Sequence, residues 1–286
     1  MPNLTDLATV RDICARYDFA TSKGFGQNFI VNAGIPPRMA EACGAGPDWG
    51  VLEIGPGIGV LTKELALRAK KVVALEVDKR LPPILEETLA EFDTVKVILE
   101  DALKCDISAL IAREFPGMKV AVCANLPYYI TSPILMRLLE AHLPVENITV
   151  MVQKEAAQRI TAQPGTREAG AISCAVAYYA KPELLFSVQP GSFFPAPKVT
   201  SAVIRLTLGQ GAMQPVQDEA GYFALVRAAF CQRRKTAANS IAAGLCLPKA
   251  KVVEALAAAG ISEKARPEQL SLEDFARLQK ALAERH

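Results

Sequence analysis

The stretch from Val51 to Thr62, VLEIGPGIGVLT, restricts the fold more than any other part of the chain. An apolar run (Val51, Leu52, Ile54) meets glycines at 55, 57 and 59, and an apolar-periodic stretch (Val60, Leu61, Leu65) follows. That is strand, tight turn, helix, the opening unit of a doubly wound α/β fold. Glycine is needed where the backbone takes φ > 0 or where a ligand approaches without a Cβ in the way. The helix that opens near Gly59 turns free N–H groups and a positive dipole end toward whatever binds there. The spacing G-x-G-x-G is one residue short of the dinucleotide fingerprint, and Pro56 removes an N–H that a pyrophosphate would use. Both features lean away from NAD.

At 286 residues the chain is long for one domain, which predicts one large and one small. Hydrophobic residues make up 51% and charged residues 22%, enough to build a large core. No run of 18 or more apolar residues occurs, so no membrane helix is expected. Asp6, Arg11, Asp12, Arg16 and Asp18 argue against the apolar segment of a signal peptide. Seven cysteines stand singly, with no C-x-x-C, and read as thiols of a reducing cytoplasm. The net charge of +2 is uneven: residues 1–204 hold 20 basic and 22 acidic side chains, residues 205–286 hold 12 and 8. A mildly basic C-terminal part suits a polyanion only weakly.

Along the chain, residues 4–17 read as a short helix capped near Thr5. Residues 23–30 read as a loop carrying Phe25 and Phe29. Strands are predicted at 71–77, 95–99, 119–124, 148–152, 183–189 and 199–208, the last alternating like an antiparallel partner. Helices are predicted at 83–91, 106–114, 132–140, 154–162 and 169–180 between them. Residues 209–217 have linker composition, and 218–243, 248–259 and 271–284 carry helical periodicity. The expected architecture is thus a Rossmann-like, mostly parallel sheet over 1–208 and a helical domain over 218–286.

In an open parallel sheet, ligands bind beyond the carboxyl ends of the strands. Four successive strands end in the glycine loop, Glu76, Asp101 and Asn125. A carboxylate at the second strand end suits two ribose hydroxyls, and Asp101 suits an adenine amino group. Together they describe a pocket for an adenosine-containing ligand. Asn125-Leu126-Pro127-Tyr128 is a sharper signal. The Asn125 side chain and the Leu126 carbonyl offer two acceptors for a nucleobase amino group, whose lone pair is otherwise delocalised. Pro127 fixes the turn, and Tyr128 offers a face for an extruded base. Phe193, in SFFPAPKV, is a candidate second aromatic wall. The two histidines, His142 and His286, lie outside these motifs, which disfavours Ser-His-Asp hydrolysis and a His-ligated metal. Methyl transfer from a sulfonium needs neither a metal nor a strong base; alignment and electrostatics carry it.

GFGQNFI (24–30), EIGPGIGVLT (53–62), ALEVDKR (74–80), EDALK (100–104), NLPYYITSPIL (125–135), FFPAPKVTSAVIRL (193–206) and AFCQRRKTAANSI (229–241) occur in one order. In that order they resemble the S-adenosylmethionine-dependent ribosomal RNA adenine N6,N6-dimethyltransferases, and most closely the small-subunit (16S) branch. The resemblance implies dimethylation of two adjacent adenines near the 3′ end of 16S rRNA during subunit biogenesis. It implies cofactor contacts at Asn28, Ile30, Gly55, Gly57, Glu76, Asp101 and Asn125, and RNA contacts at Arg233, Arg234 and Lys235 on a basic helix. Ile30 stands where the family usually has leucine, and Thr131-Ser132 is inverted from the commoner order. The expected protein is a cytoplasmic monomer, working without metal or membrane on the small ribosomal subunit. Two other readings stay open: a nicotinamide oxidoreductase on the same glycine loop, and a non-catalytic RNA-binding assembly factor.

Overall fold

Apolar runs buried on both faces form the middle of the sheet, and partly exposed runs form its edges. A two-residue strand, β1 (Phe29–Ile30), precedes the sheet proper. The main sheet begins with β2 (Trp49–Ile54), β3 (Lys71–Glu76), β4 (Val95–Leu99), β5 (Lys119–Asn125) and β6 (Asn147–Gln153). It is completed by β7 (Ala180–Val188) and, after the short β8 (Phe193–Phe194), by β9 (Ser201–Leu208). Its order is β4-β3-β2-β5-β6-β9-β7. The first five strands in that order are joined by four parallel ladders, and β9 runs antiparallel to β6 with Ser201 opposite Gln153. Central strands such as β2 and β3 are buried almost throughout, as expected of parallel strands covered on both faces. The structure, a computed structural model, describes residues 3–21, 26–232 and 234–284.

Helices join the strands as α1 (Leu7–Arg16), α2 (Ile35–Cys43), α3 (Val60–Ala66), α4 (Pro82–Thr88), α5 (Ile107–Glu114) and α6 (Thr131–Glu140). One face of the sheet (Val51, Val72, Ala121, Cys123, Met151, Val203) packs with α1–α4 in a single apolar cluster. The cap of α1 is Asp6, whose carboxylate accepts from Thr9 N at 2.9 Å, one residue past the expected Thr5. The alternation expected of β9 is absent: its first four residues are all buried, because the strand lies inside the sheet between β6 and β7. α2 is an additional helix. Pro36 and Pro37 sit in its first turn, where a missing N–H costs nothing.

Contacts divide the chain into two compact units, residues 1–157 with 183–208, and 158–182 with 209–286. Residues 158–182, expected with the sheet, therefore fall with the C-terminal helices. The reason is aromatic packing. Tyr178 and Tyr179, at the end of α8 (Ala171–Tyr179, after α7, Lys154–Ile160), pack on Phe223 of α9 (Glu219–Phe230) at 5.0 and 5.3 Å. The unit is completed by α10 (Ala237–Gly244), α11 (Lys249–Ala258) and α12 (Leu272–Ala283), around fully buried Tyr222 and Phe275. The continuous helix expected over 218–243 is two helices. Thr236, whose hydroxyl accepts from Asn239 N at 3.4 Å, starts α10 anew.

Candidate active site

The sheet order reverses between β2 and β5, and the crevice beyond their carboxyl ends is where the predicted residues meet. One cavity is lined by Asn28, Ile30, Gly55, Gly57, Glu76, Asp101, Asn125, Leu126, Pro127 and Tyr128, which is ten of the expected residues. Gly55 and Gly57 take φ of +73° and +58°, in the left-handed region. At Gly55 a Cβ would meet nothing within 4 Å, so conformation alone demands glycine. At Gly57 a Cβ would come within 3.2 Å of the Phe29 ring, a tight contact on top of the left-handed conformation.

Glu76 ends β3 and is almost fully buried. Its Oε1 accepts from the N–H groups of Val77 and Asp78 at 2.8 and 2.7 Å, which fixes the carboxylate against the backbone after the strand. Burial raises its pKa, and those two N–H groups oppose the rise. Asp101 uses Oδ1 to accept from Leu103 N at 2.9 Å. Asn125 donates from Nδ2 to the Asn28 carbonyl at 3.3 Å, and its Oδ1 has no partner among the described residues. Asn28 in turn donates to the Gly26 carbonyl at 3.0 Å. Leu126 is buried, with its N–H on the Met151 carbonyl at 3.1 Å. After Pro127 the chain makes one 3₁₀ turn, Tyr128–Ile130, and then α6. Burial pushes the half-buried Tyr128 phenol up, so it is a neutral hydroxyl at neutral pH.

Phe193 stands apart. It is 4% exposed, sits in the apolar cluster and does not line the cavity; its register partner Ile30 does. Arg234 and Lys235 are exposed, but not on a helix: they lie in the connection between α9 and α10. Arg233 lies outside the described residues. Among the described residues no cluster of potential metal ligands occurs, and no helix is long and apolar enough to cross a membrane.

Three further features were not read from the sequence. Glu53 lines the cavity from β2 at 1% exposure, with Oε2 unpartnered. Burial raises its carboxyl to about 8, against the Thr62 hydroxyl and with Glu76 adding to the rise. Its signal was legible, since a lone carboxylate in an apolar central strand needs a reason. Asp78 accepts from Gln27 Nε2 at 2.8 Å and from Arg80 at 2.6 Å, tying the loop after Glu76 to the segment before Asn28. Tyr129, 59% exposed, lines the cavity and lies 3.4 Å from where a Cβ on Gly26 would be.

A family model for ribosomal RNA adenine dimethylase matches residues 19–284. The chain is 46% identical over 284 residues to a ribosomal RNA small subunit methyltransferase A of Geobacillus thermodenitrificans, with 97% of each chain covered. It is 47% identical over 281 residues, again 97% of each, to the protein of that name from Lachnoclostridium phytofermentans. Among solved structures it superposes on the 23S rRNA methyltransferase ErmE with a TM-score of 0.65 at 30% identity, covering 90% of this chain and 100% of that one. For a Plasmodium falciparum dimethyladenosine transferase the values are 0.69 and 27%, with 87% and 95% covered. Sheet order, glycine loop and these likenesses define an enzyme of the Rossmann-like methyltransferase class. More narrowly, the chain belongs to the ribosomal RNA adenine dimethylase family. The nicotinamide oxidoreductase and the non-catalytic assembly factor find no support among these relatives.

Proposed function

We propose that the protein transfers methyl groups from S-adenosylmethionine to N6 of two adjacent adenines near the 3′ end of 16S rRNA, giving N6,N6-dimethyladenosines in small-subunit biogenesis. The observation that carries this reading is Asn125, whose amide N–H is held by the Asn28 carbonyl while its oxygen stays free at the cavity. Such an oxygen accepts from an exocyclic amino group and favours a more tetrahedral, more nucleophilic nitrogen. The Leu126 carbonyl is the second acceptor, Pro127 sets the turn and the Tyr128 ring stacks on the extruded base. Phe193 supports the wall through its strand pairing with Ile30.

The cavity fits the cofactor on its own evidence: open space over Gly55 and carboxylates at the ends of β2, β3 and β4. Glu76 would take the ribose hydroxyls, Asp101 the adenine amino group, and Asn28, Ile30, Gly55 and Gly57 would line the remainder. When bound, the cofactor supplies an electrophilic methyl group on a sulfonium. The chain's part is to exclude water, fix the target nitrogen in line and hold the polar groups that favour its rehybridisation.

Residues 1–157 and 183–208 form the methyltransferase part in this reading. After the 209–217 linker, 218–286 contribute RNA contact through Arg233, Arg234 and Lys235. The protein works as a cytoplasmic monomer without a metal. Small subunits lacking the modification, incubated with enzyme and labelled cofactor, should acquire label at two neighbouring adenines when the sites are mapped. Absence of label, or label elsewhere, refutes the assignment. Arg233→Ala/Arg234→Ala should make the dependence of log affinity on log salt shallower and leave cofactor affinity unchanged.

A further inference from the structure

Ser201 opens β9 and is fully buried, with Thr200 before it and Ala202, Val203 and Ile204 after it. Its place is rigid: it stands opposite Gln153 in the β6–β9 ladder, and the adjacent Thr200 carbonyl accepts from Lys154 N at 2.9 Å. A hydroxyl in so dry a position is costly unless it is bonded. Its partner is the Tyr128 hydroxyl, at 2.7 Å. Tyr128 is anchored far less firmly. It heads a single 3₁₀ turn in which the Ile130 N–H bonds the Pro127 carbonyl at 3.2 Å, and its ring is only half-buried at the cavity. The tyrosine hydroxyl is therefore committed to the strand.

We propose that Ser201 is a positioning residue: its hydroxyl holds the Tyr128 ring at the cavity wall, fixing the plane on which the target base stacks. This rests on the methyl-transfer function proposed above, and it extends the site to a residue that does not line the cavity. Single-turnover methylation of small subunits at saturating cofactor should fall about fivefold for Ser201→Ala and by the same factor for Tyr128→Phe, the size expected from one neutral hydrogen bond. The double variant should be no slower than either single one. Ser201→Thr, which keeps the hydroxyl, should restore most of the rate, and cofactor affinity should not change in any of them.

Additive losses in the double variant, or a Ser201→Ala enzyme at the wild-type rate, would overturn the proposal. So would a Ser201→Thr enzyme as slow as Ser201→Ala. An activity-independent readout separates this from failure of the functional reading. In tyrosine-labelled protein the Tyr128 hydroxyl proton should be protected from exchange, and Ser201→Ala should abolish that protection. Protection in a wild-type chain that methylates nothing would refute the function and leave the Ser201 contact standing. An unprotected proton would refute the contact itself.

Discussion

Glu53 and Glu114 are both nearly excluded from solvent, yet the two ends of the sheet treat them oppositely. Glu114 closes α5 at the end where strands begin. It accepts from Lys96 at 2.7 Å, Lys71 at 2.9 Å and Arg113 at 3.0 Å, and these cations hold its carboxyl down at about 2. Glu53 lies at the end where strands finish, with one oxygen unpartnered and its carboxyl raised to about 8. A buried charge that serves stability is surrounded by its counter-ions. A buried carboxyl left without them marks the end of the sheet built to meet something from outside.

The largest test of this contrast is Asn125→Ala. It removes an acceptor that should matter more in the transition state than in the ground state, so single-turnover methylation should drop about 100-fold or more. Cofactor affinity should move much less. A folded variant at the wild-type rate would make the 125–128 turn a structural feature only.

Next comes Glu53→Gln, read by unfolding at several pH values. With its folded pKa raised, native Glu53 retains a proton that the unfolded chain releases above about pH 4.5. The wild type should therefore lose stability as pH rises from about 5 to 8, and the glutamine variant should not show that loss. Parallel stability profiles would mean that the buried carboxyl has counter-charge after all.

Glu76→Ala should weaken cofactor binding about tenfold or more, the loss of hydrogen bonds to a charged group. Isothermal titration reads it directly, and an unchanged dissociation constant removes Glu76 from the cofactor site. Glu114→Ala is the smallest change. Lys96 and Arg113 are 52% and 64% exposed and readily rehydrate, so urea unfolding should show a loss of about 1 kcal/mol with cofactor affinity intact. With its pKa depressed, the Glu114 contribution is full above about pH 4.5 and disappears as pH falls toward about 2.

What could be read beforehand is what depends on near neighbours in the chain. The glycine loop, the strand runs and the polar residues at strand ends each fit within about a dozen positions, and the cavity gathers them as expected. Long-range pairings were not legible. The two-residue strands β1 and β8 carry no periodicity, so Phe193 looked like a free aromatic wall, whereas pairing with Ile30 draws it into the core. The helix α2 carries two prolines, which its first turn tolerates because the N–H groups there have no helical acceptor. Between α9 and α10 no glycine or proline interrupts the periodicity, and the break becomes visible only through the Thr236 cap. Ser201 reads as an ordinary strand residue until β9 is set beside β6 and the turn after Asn125.

The pairing of Phe29 with Phe194 also imposes an order in time. Phe29 and Ile30 line the cavity and are synthesised early, but the strand that holds them is made only when translation has passed residue 194. A nascent chain that has exposed the glycine loop, Glu76 and Asn125 still lacks one braced wall. The site therefore cannot be complete before residue 194 has been made, and shorter translation intermediates hold its residues without that strand pairing.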